Sequence, residues 1–307
     1  MQLTDILKNV KLGAPLQWKN LQVFPLTQPN GHSPSYALID ELLESGQAEI
    51  TELDEGAAVP TLKVFNRADI DALILDGTEL RGAKQNRMVN VTVIVGKHSE
   101  TPIPVSCVEQ GRWAYRSHGF ASSKRTIASK LRNAKAHMVA ENLARTKRAA
   151  TDQGKVWADV DAYIKRAEAH SATAAFDDAY AEREATTEEY LTHLKDLDAC
   201  GAIVAINGEV IALDLVDHRE TFKKLWAMLL RGYAFDASLD AGAAAKALNK
   251  EAVESWLSKT AAGATIVPHE LTGVGQFYSV AGDHVAGGVS VHADRVVHVA
   301  LFPSVRP

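Results

Sequence analysis

Ala202-Ile203-Val204-Ala205-Ile206-Asn207-Gly208-Glu209-Val210-Ile211-Ala212-Leu213-Asp214-Leu215 is the stretch that decides the fold. Two apolar, β-branched runs flank Asn-Gly, a dipeptide that accepts positive φ at both positions. The pattern predicts two antiparallel strands joined by a two-residue turn. Near the end of the chain, Arg295-Val296-Val297-His298-Val299-Ala300-Leu301 lines up with residues 209–215, so a second, related strand pair is expected in the same sheet system. Two copies are too few for a solenoid. His292 and His298 are expected to flank that later hairpin.

Outward from this hairpin, strand-like alternation recurs at 21–26, 62–65, 71–75, 88–95 and 103–109, with a helix expected over 35–45 and a turn at Asp76-Gly77. Residues 122–197 change character. Ala, Lys, Arg and Glu dominate and proline is absent, so long helices are expected there. Further helices are expected over 219–230 and within 241–259. These readings predict an α+β fold, a mixed/antiparallel sheet core with hairpins and a long helical insertion. Residues 1–121 and 198–307 would form one β-rich domain and 122–197 the insertion. The Ala-rich faces around Ala134 to Ala150 suit packing within one subunit or between two, and a homodimer is the expectation carried forward.

The 307 residues, 46% of them hydrophobic, suffice for a sizeable core. A net charge of −5 gives the chain no footprint for polyanions. The basic run Lys124, Arg125, Lys130, Arg132, Lys135, Arg145, Lys147 and Arg148 reads as a solvated helix face, and nucleic acid is not an expected partner. Cys107 and Cys200 show neither metal nor disulfide spacing, which fits a reducing, cytoplasmic setting. Asp5, Lys8 and Lys11 interrupt the apolar pattern of the first 16 residues, so no signal peptide is expected. No uncharged apolar run reaches the ~18 residues of a membrane span, and no membrane association is expected. The eleven histidines form no zinc motif, and Gly273-Val274-Gly275 lacks the spacing of a phosphate or dinucleotide loop; neither metal nor cofactor is expected.

Chemistry concentrates in two stretches. Leu75-Asp76-Gly77-Thr78-Glu79-Leu80-Arg81-Gly82-Ala83-Lys84-Gln85-Asn86-Arg87 sets long polar side chains between apolar strands. Glu79 and Arg81 share a face by the period-two rule, and a bend at Gly82 would fold Gln85, Asn86 and Arg87 back toward them. In Ile103-Pro104-Val105-Ser106-Cys107-Val108-Glu109-Gln110-Gly111-Arg112-Trp113, one face begins apolar and turns polar. Arg81, Arg87 and Arg112 suit paired hydrogen bonds to a phosphate or carboxylate, which implies a small anionic ligand. Gln85 and Asn86 would complete the wall of such a pocket, and Trp113 or Tyr115 could stack on a planar ring. Glu79 and Glu109 are candidates for general acid and base, or for acceptors of ribose hydroxyls. A purely structural ion-pair network remains the competing reading. Cys107 is a candidate nucleophile, against the commoner role of a small buried hydrophobe.

These two stretches, with Ala205-Ile206-Asn207-Gly208-Glu209-Val210 and residues 225–233, resemble the ADP-ribosylglycohydrolase and rhodanese-phosphatase-superfamily-associated protein domain family, over residues 12–302. The resemblance implies a bacterial protein encoded beside enzymes that process ADP-ribose. It implies an activity on NAD-derived or ADP-ribosylated compounds, either as a hydrolase of an ADP-ribose or nucleotide-sugar linkage or as a non-catalytic binding module or scaffold for such an enzyme. ADP-ribose would offer a pyrophosphate to the arginines, ribose diols to the carboxylates and a base to an aromatic ring.

Overall fold

Asn207 and Gly208 both adopt positive φ, 52° and 81°, and join the strands Gly201–Ile206 and Glu209–Val216 as an antiparallel hairpin. Residue by residue, the first of these strands alternates between two cores. Ala202, Val204 and Ile206 face one, while Ile203 and Ala205 face the other. Burial on both sides explains why its sequence is continuously apolar. This computed structural model describes residues 1–29, 33–53, 60–241 and 246–304.

The hairpin lies inside a nine-stranded antiparallel sheet. On one side it meets Leu21–Thr27, which also pairs with Lys11–Leu12 and Leu16–Trp18. On the other, Arg295–Pro303, Val285–His292, Gln276–Gly282 and Thr265–His269 follow in order. Ala293 and Asp294, also at positive φ, make the second hairpin turn, which His292 adjoins. The helices Glu184–Leu194 and Arg219–Leu239 supply the core on one face of the sheet, and Leu3–Leu7 and Lys250–Gly263 that on the other. The helix beginning at Arg219 runs past residue 230 because its next residues stay buried; Gly232 packs so close to Thr126 and Ile127 that a Cβ would lie 2.4 Å from Thr126 Oγ1.

A six-stranded antiparallel sheet runs in the order Phe120–Thr126, Thr78–Gly82, Arg87–Val89, Ser99–Cys107, Thr61–Asn66, Ala48–Glu52. Beside it lie Val93–Val95, Asp71–Ile74 and Tyr36–Leu38, the last two parallel. Two expectations change here. The helix expected over 35–45 is confined to Ile39–Glu44, because Tyr36–Leu38 pairs with Asp71–Ile74 as a strand. The strand expected over 88–95 divides between two sheets. At the break, the Asn90 amide donates to Ala149 O, and the Thr92 hydroxyl receives the Asp76 N–H.

Residues 122–197 are mainly helical: Ser129–Thr146, Gln153–Ala167, Phe176–Glu182 and Glu184–Leu194, after the strand Phe120–Thr126. Helix Ser129–Thr146 sits where three cores meet, with Leu131, Ala136 and Val139 each entering a different one. Its basic residues are therefore not all solvated, and Arg132 and Lys135 are fully buried, as is Arg125 in the preceding strand.

Candidate functional site

The bend at Gly82 forms as expected. Gly82 (φ 138°) and Ala83 (φ 38°) reverse the chain, and Thr78–Gly82 pairs back onto Arg87–Val89, with Glu79 opposite Met88 and Leu80 opposite Arg87. A side chain at Gly82 would collide with Gly119 O. The reversal brings the two polar stretches together. Arg112 lies across the bend, donating to both Glu109 carboxylate oxygens, to Asn86 Oδ1, and to the carbonyls of Gly82, Ala83 and Ala114. Glu109 also accepts from the Asn86 N–H at 3.0 Å and from Thr173 at 2.8 Å. Burial alone would raise its carboxyl, but these hydrogen bonds and Arg112 hold it below the usual range.

The remaining members divide into separate groups. Glu79, with no exposed surface, lies 2.6 Å from Arg125; Arg125 in turn binds Asp177, which also pairs with Arg81 at 3.2 Å. Burial pushes the Glu79 carboxyl up despite Arg125. Arg87 is equally enclosed. Its Nη1 donates to Gln85 Oε1 and to Cys107 Sγ, its Nη2 stands 3.6 Å from Glu52, and Nε and Nη2 have no hydrogen-bond partner. The Cys107 thiol donates to Gln85 Oε1, and burial raises it to about 11 in spite of the neighbouring Arg87, so it is protonated at neutral pH. Glu79 and Glu109 are thus each engaged with an arginine of their own.

Beyond Arg112, the chain emerges at the surface. Trp113 and Tyr115 are more than half exposed, with Lys84 Nζ 5.3 Å and 5.1 Å from their ring centres. Tyr115, Arg116, Ser117 and His118 form one wall of an open groove of about 790 Å³, within the ~300–1,000 Å³ of small-molecule sites. Glu49, Thr51, Glu52 and Phe65, from two paired strands, form the other. Glu52 links groove and interior, since it faces Arg87 and its Oε1 accepts from the Lys84 N–H at 3.4 Å. Of the groove residues, Tyr115 alone is a candidate on sequence grounds. The others come from separate segments, and the period-two spacing of Glu49 and Thr51 reads as an ordinary solvent-facing strand edge.

A second polar group lies deep in the molecule. Arg132 donates to both oxygens of Asp214 (2.8 and 3.0 Å) and to Asp76 at 2.9 Å, while Lys135 binds Asp76 at 2.6 Å. His298 Nε2 lies 3.1 Å from Asp214, and its Nδ1 lies 2.8 Å from Thr92 Oγ1. A carboxylate can only accept, so the His298 nitrogen facing Asp214 carries a proton. Against burial, Arg132 and His298 hold Asp214 down to about 2. The adjoining cavity is about 20 Å³, room for about one water. Asp76, Asp214 and His298 present metal-ligating atoms within 4.8 Å of one another, but Arg132 and Lys135 already supply two positive charges there. The geometry is that of a structural ion network.

A family model, the ARG and Rhodanese-Phosphatase-superfamily-associated Protein domain (ARPP-1), matches residues 9–302. The chain belongs to the ARPP-1 family. The match takes in both polar stretches, the groove and the deep ion network, so all of them belong to the ARPP-1 domain itself. The ARPP-1 name records an association with ARG and rhodanese-phosphatase-superfamily proteins. No curated protein and no solved structure shows significant similarity to the chain. No helix among the described residues is long and apolar enough to cross a membrane.

Proposed function

We propose that this ARPP-1 domain is a non-catalytic binding module for an ADP-ribose-related nucleotide, acting beside an ADP-ribose-processing enzyme. The observation that carries the reading is the contrast between the two candidate glutamates and the groove. Glu79 has no exposed surface, and Glu109 is held by Arg112 and two further hydrogen bonds. A general acid or base must reach the proton it transfers, but Glu79 is sealed in the interior beside Arg125 and Glu109 already accepts from protein donors. The groove instead offers rings at Phe65 and Tyr115, a guanidinium at Arg116 and carboxylates at Glu49 and Glu52. These suit a base, a pyrophosphate and ribose hydroxyls. In this reading Gln85, Asn86, Arg87 and Arg112 build the groove's support, Arg81 stands apart in its pair with Asp177, and Trp113 extends the aromatic rim. The association in the family name supports the choice of ligand class.

Thermal unfolding and calorimetry with ADP-ribose, NAD, nucleotides and sugar phosphates test this. A ligand at 100 times its Kd stabilises by about 2.7 kcal/mol. Arg116→Ala should weaken binding at least tenfold, and no product should accumulate. Absence of any shift, or turnover that Glu79→Gln abolishes while sparing affinity, would refute the reading.

A further inference from the structure

Glu52 stands apart from the other groove residues in being supported from behind. Its side chain is 7% exposed, and Arg87, with no exposed surface, stands 3.6 Å from its Oε1. Two nitrogens of Arg87, Nε and Nη2, have no hydrogen-bond partner, an arrangement that costs stability in a buried cation. The Lys84 N–H approaches the same oxygen at 3.4 Å. A carboxylate has about four acceptor sites, and these contacts engage Oε1 from the protein side. Resting on the nucleotide-binding reading above, we infer that Glu52 recognises the unsubstituted cis-diol of the nucleoside ribose and thereby excludes nucleotides phosphorylated at the 2′ or 3′ position.

The chemistry follows from charge and donor count. Two vicinal hydroxyls present two donors to a carboxylate, and charge-assisted hydrogen bonds of this kind are the stronger class. A phosphate ester at either position removes a donor and sets negative charge against a nearly enclosed carboxylate, where screening by water and salt is weak. Arg87 does not offset this, since it lies behind Glu52 and a phosphate would have to displace that side chain to reach it. Across the groove, Arg116 offers a cation to the pyrophosphate, and Phe65 and Tyr115 offer rings to the base. The ligand therefore lies with its diol inward and its phosphates toward the exposed loop.

Titration calorimetry of the full chain with ADP-ribose, ADP-ribose 2′-phosphate and 2′-deoxy-ADP-ribose tests the assignment. The 2′-phosphate and the 2′-deoxy compound should each bind at least about tenfold more weakly than ADP-ribose, the factor expected for one lost hydrogen bond to a charged group. Glu52→Gln, with folding checked by thermal melting, should narrow the gap between ADP-ribose and its 2′-phosphate. Equal affinity for all three ligands, or tighter binding of the 2′-phosphate, overturns the diol assignment and leaves the binding module standing. Failure of all three to bind overturns both.

Discussion

Replacing Arg132 with methionine should cost about 3–5 kcal/mol, the range for removing one partner of a buried ion pair. The magnitude follows from what is left behind. Arg132 closes a two-pronged contact on Asp214 and a third bond to Asp76, and it lies over the Phe302 ring at 5.0 Å. Asp76 would keep Lys135, but Asp214 would keep the Tyr233 hydroxyl and the His298 ring. Against a total stability of about 5–15 kcal/mol this is a large fraction. Urea unfolding of wild type, Arg132→Met, Asp214→Leu and the double variant would give the coupling energy directly. The double variant should be less destabilised than the sum of the single ones, with a coupling of about 2–3 kcal/mol. Arg81→Ala is the control, since its partly exposed pair with Asp177 should contribute no more than about 1 kcal/mol. A loss below about 1 kcal/mol for Arg132→Met, or strict additivity with Asp214→Leu, would refute a structural role for this ion network.

Three other outcomes follow from the same geometry. The Asp214 carboxyl is held at about 2 against an ordinary 3.8, so its contribution of about 2 kcal/mol is fully present above pH 4 and lost as the pH falls from about 4 to 2; acid titration of stability should show this slope, and Asp214→Asn should flatten it. Gly77 has φ +75°, and an added Cβ would lie 2.8 Å from the Arg132 side chain, so Gly77→Ala should cost at least about 1–2 kcal/mol from backbone strain alone, and an unchanged melting temperature would contradict it. Both cysteines are buried and burial raises both thiols, so a thiol reagent should label neither in the native protein within minutes and both in urea; rapid native labelling of Cys107 would restore it as a nucleophile.

What could be read from the sequence was what local chemistry determines. The Asn207-Gly208 hairpin needs two adjacent residues at positive φ, and the reversal after Arg81 needs Gly82. What could not be read depends on distance along the chain. Arg132 meets Asp76 and Asp214 across 56 and 82 residues, and a helix rich in Lys and Arg gives no local sign that its successive turns will enter three cores. Likewise, Glu52 and Tyr115 face one groove because the loop at 115–118 lies beside the paired strands Ala48–Glu52 and Thr61–Asn66.

One sign of the deep network was nonetheless present, in the resemblance between residues 209–215 and 295–301. Aligned in parallel, these segments place Asp214 on Ala300; paired antiparallel in the sheet, they again place Asp214 opposite Ala300. No other position satisfies both relations, so a local two-fold relation between the strands centres on this pair. Asp214 shares its face with Ala212 and Val216 and points toward the same core as Ala300. A symmetric apolar pair would have filled this centre. Instead one copy carries the charge, while Ala300 and its other neighbour Gly288 are small enough to leave the adjoining cavity beside Lys135 and His298. A buried carboxylate at the middle of this repeat requires a buried cation, and the helix that follows Phe120–Thr126 supplies it in Arg132.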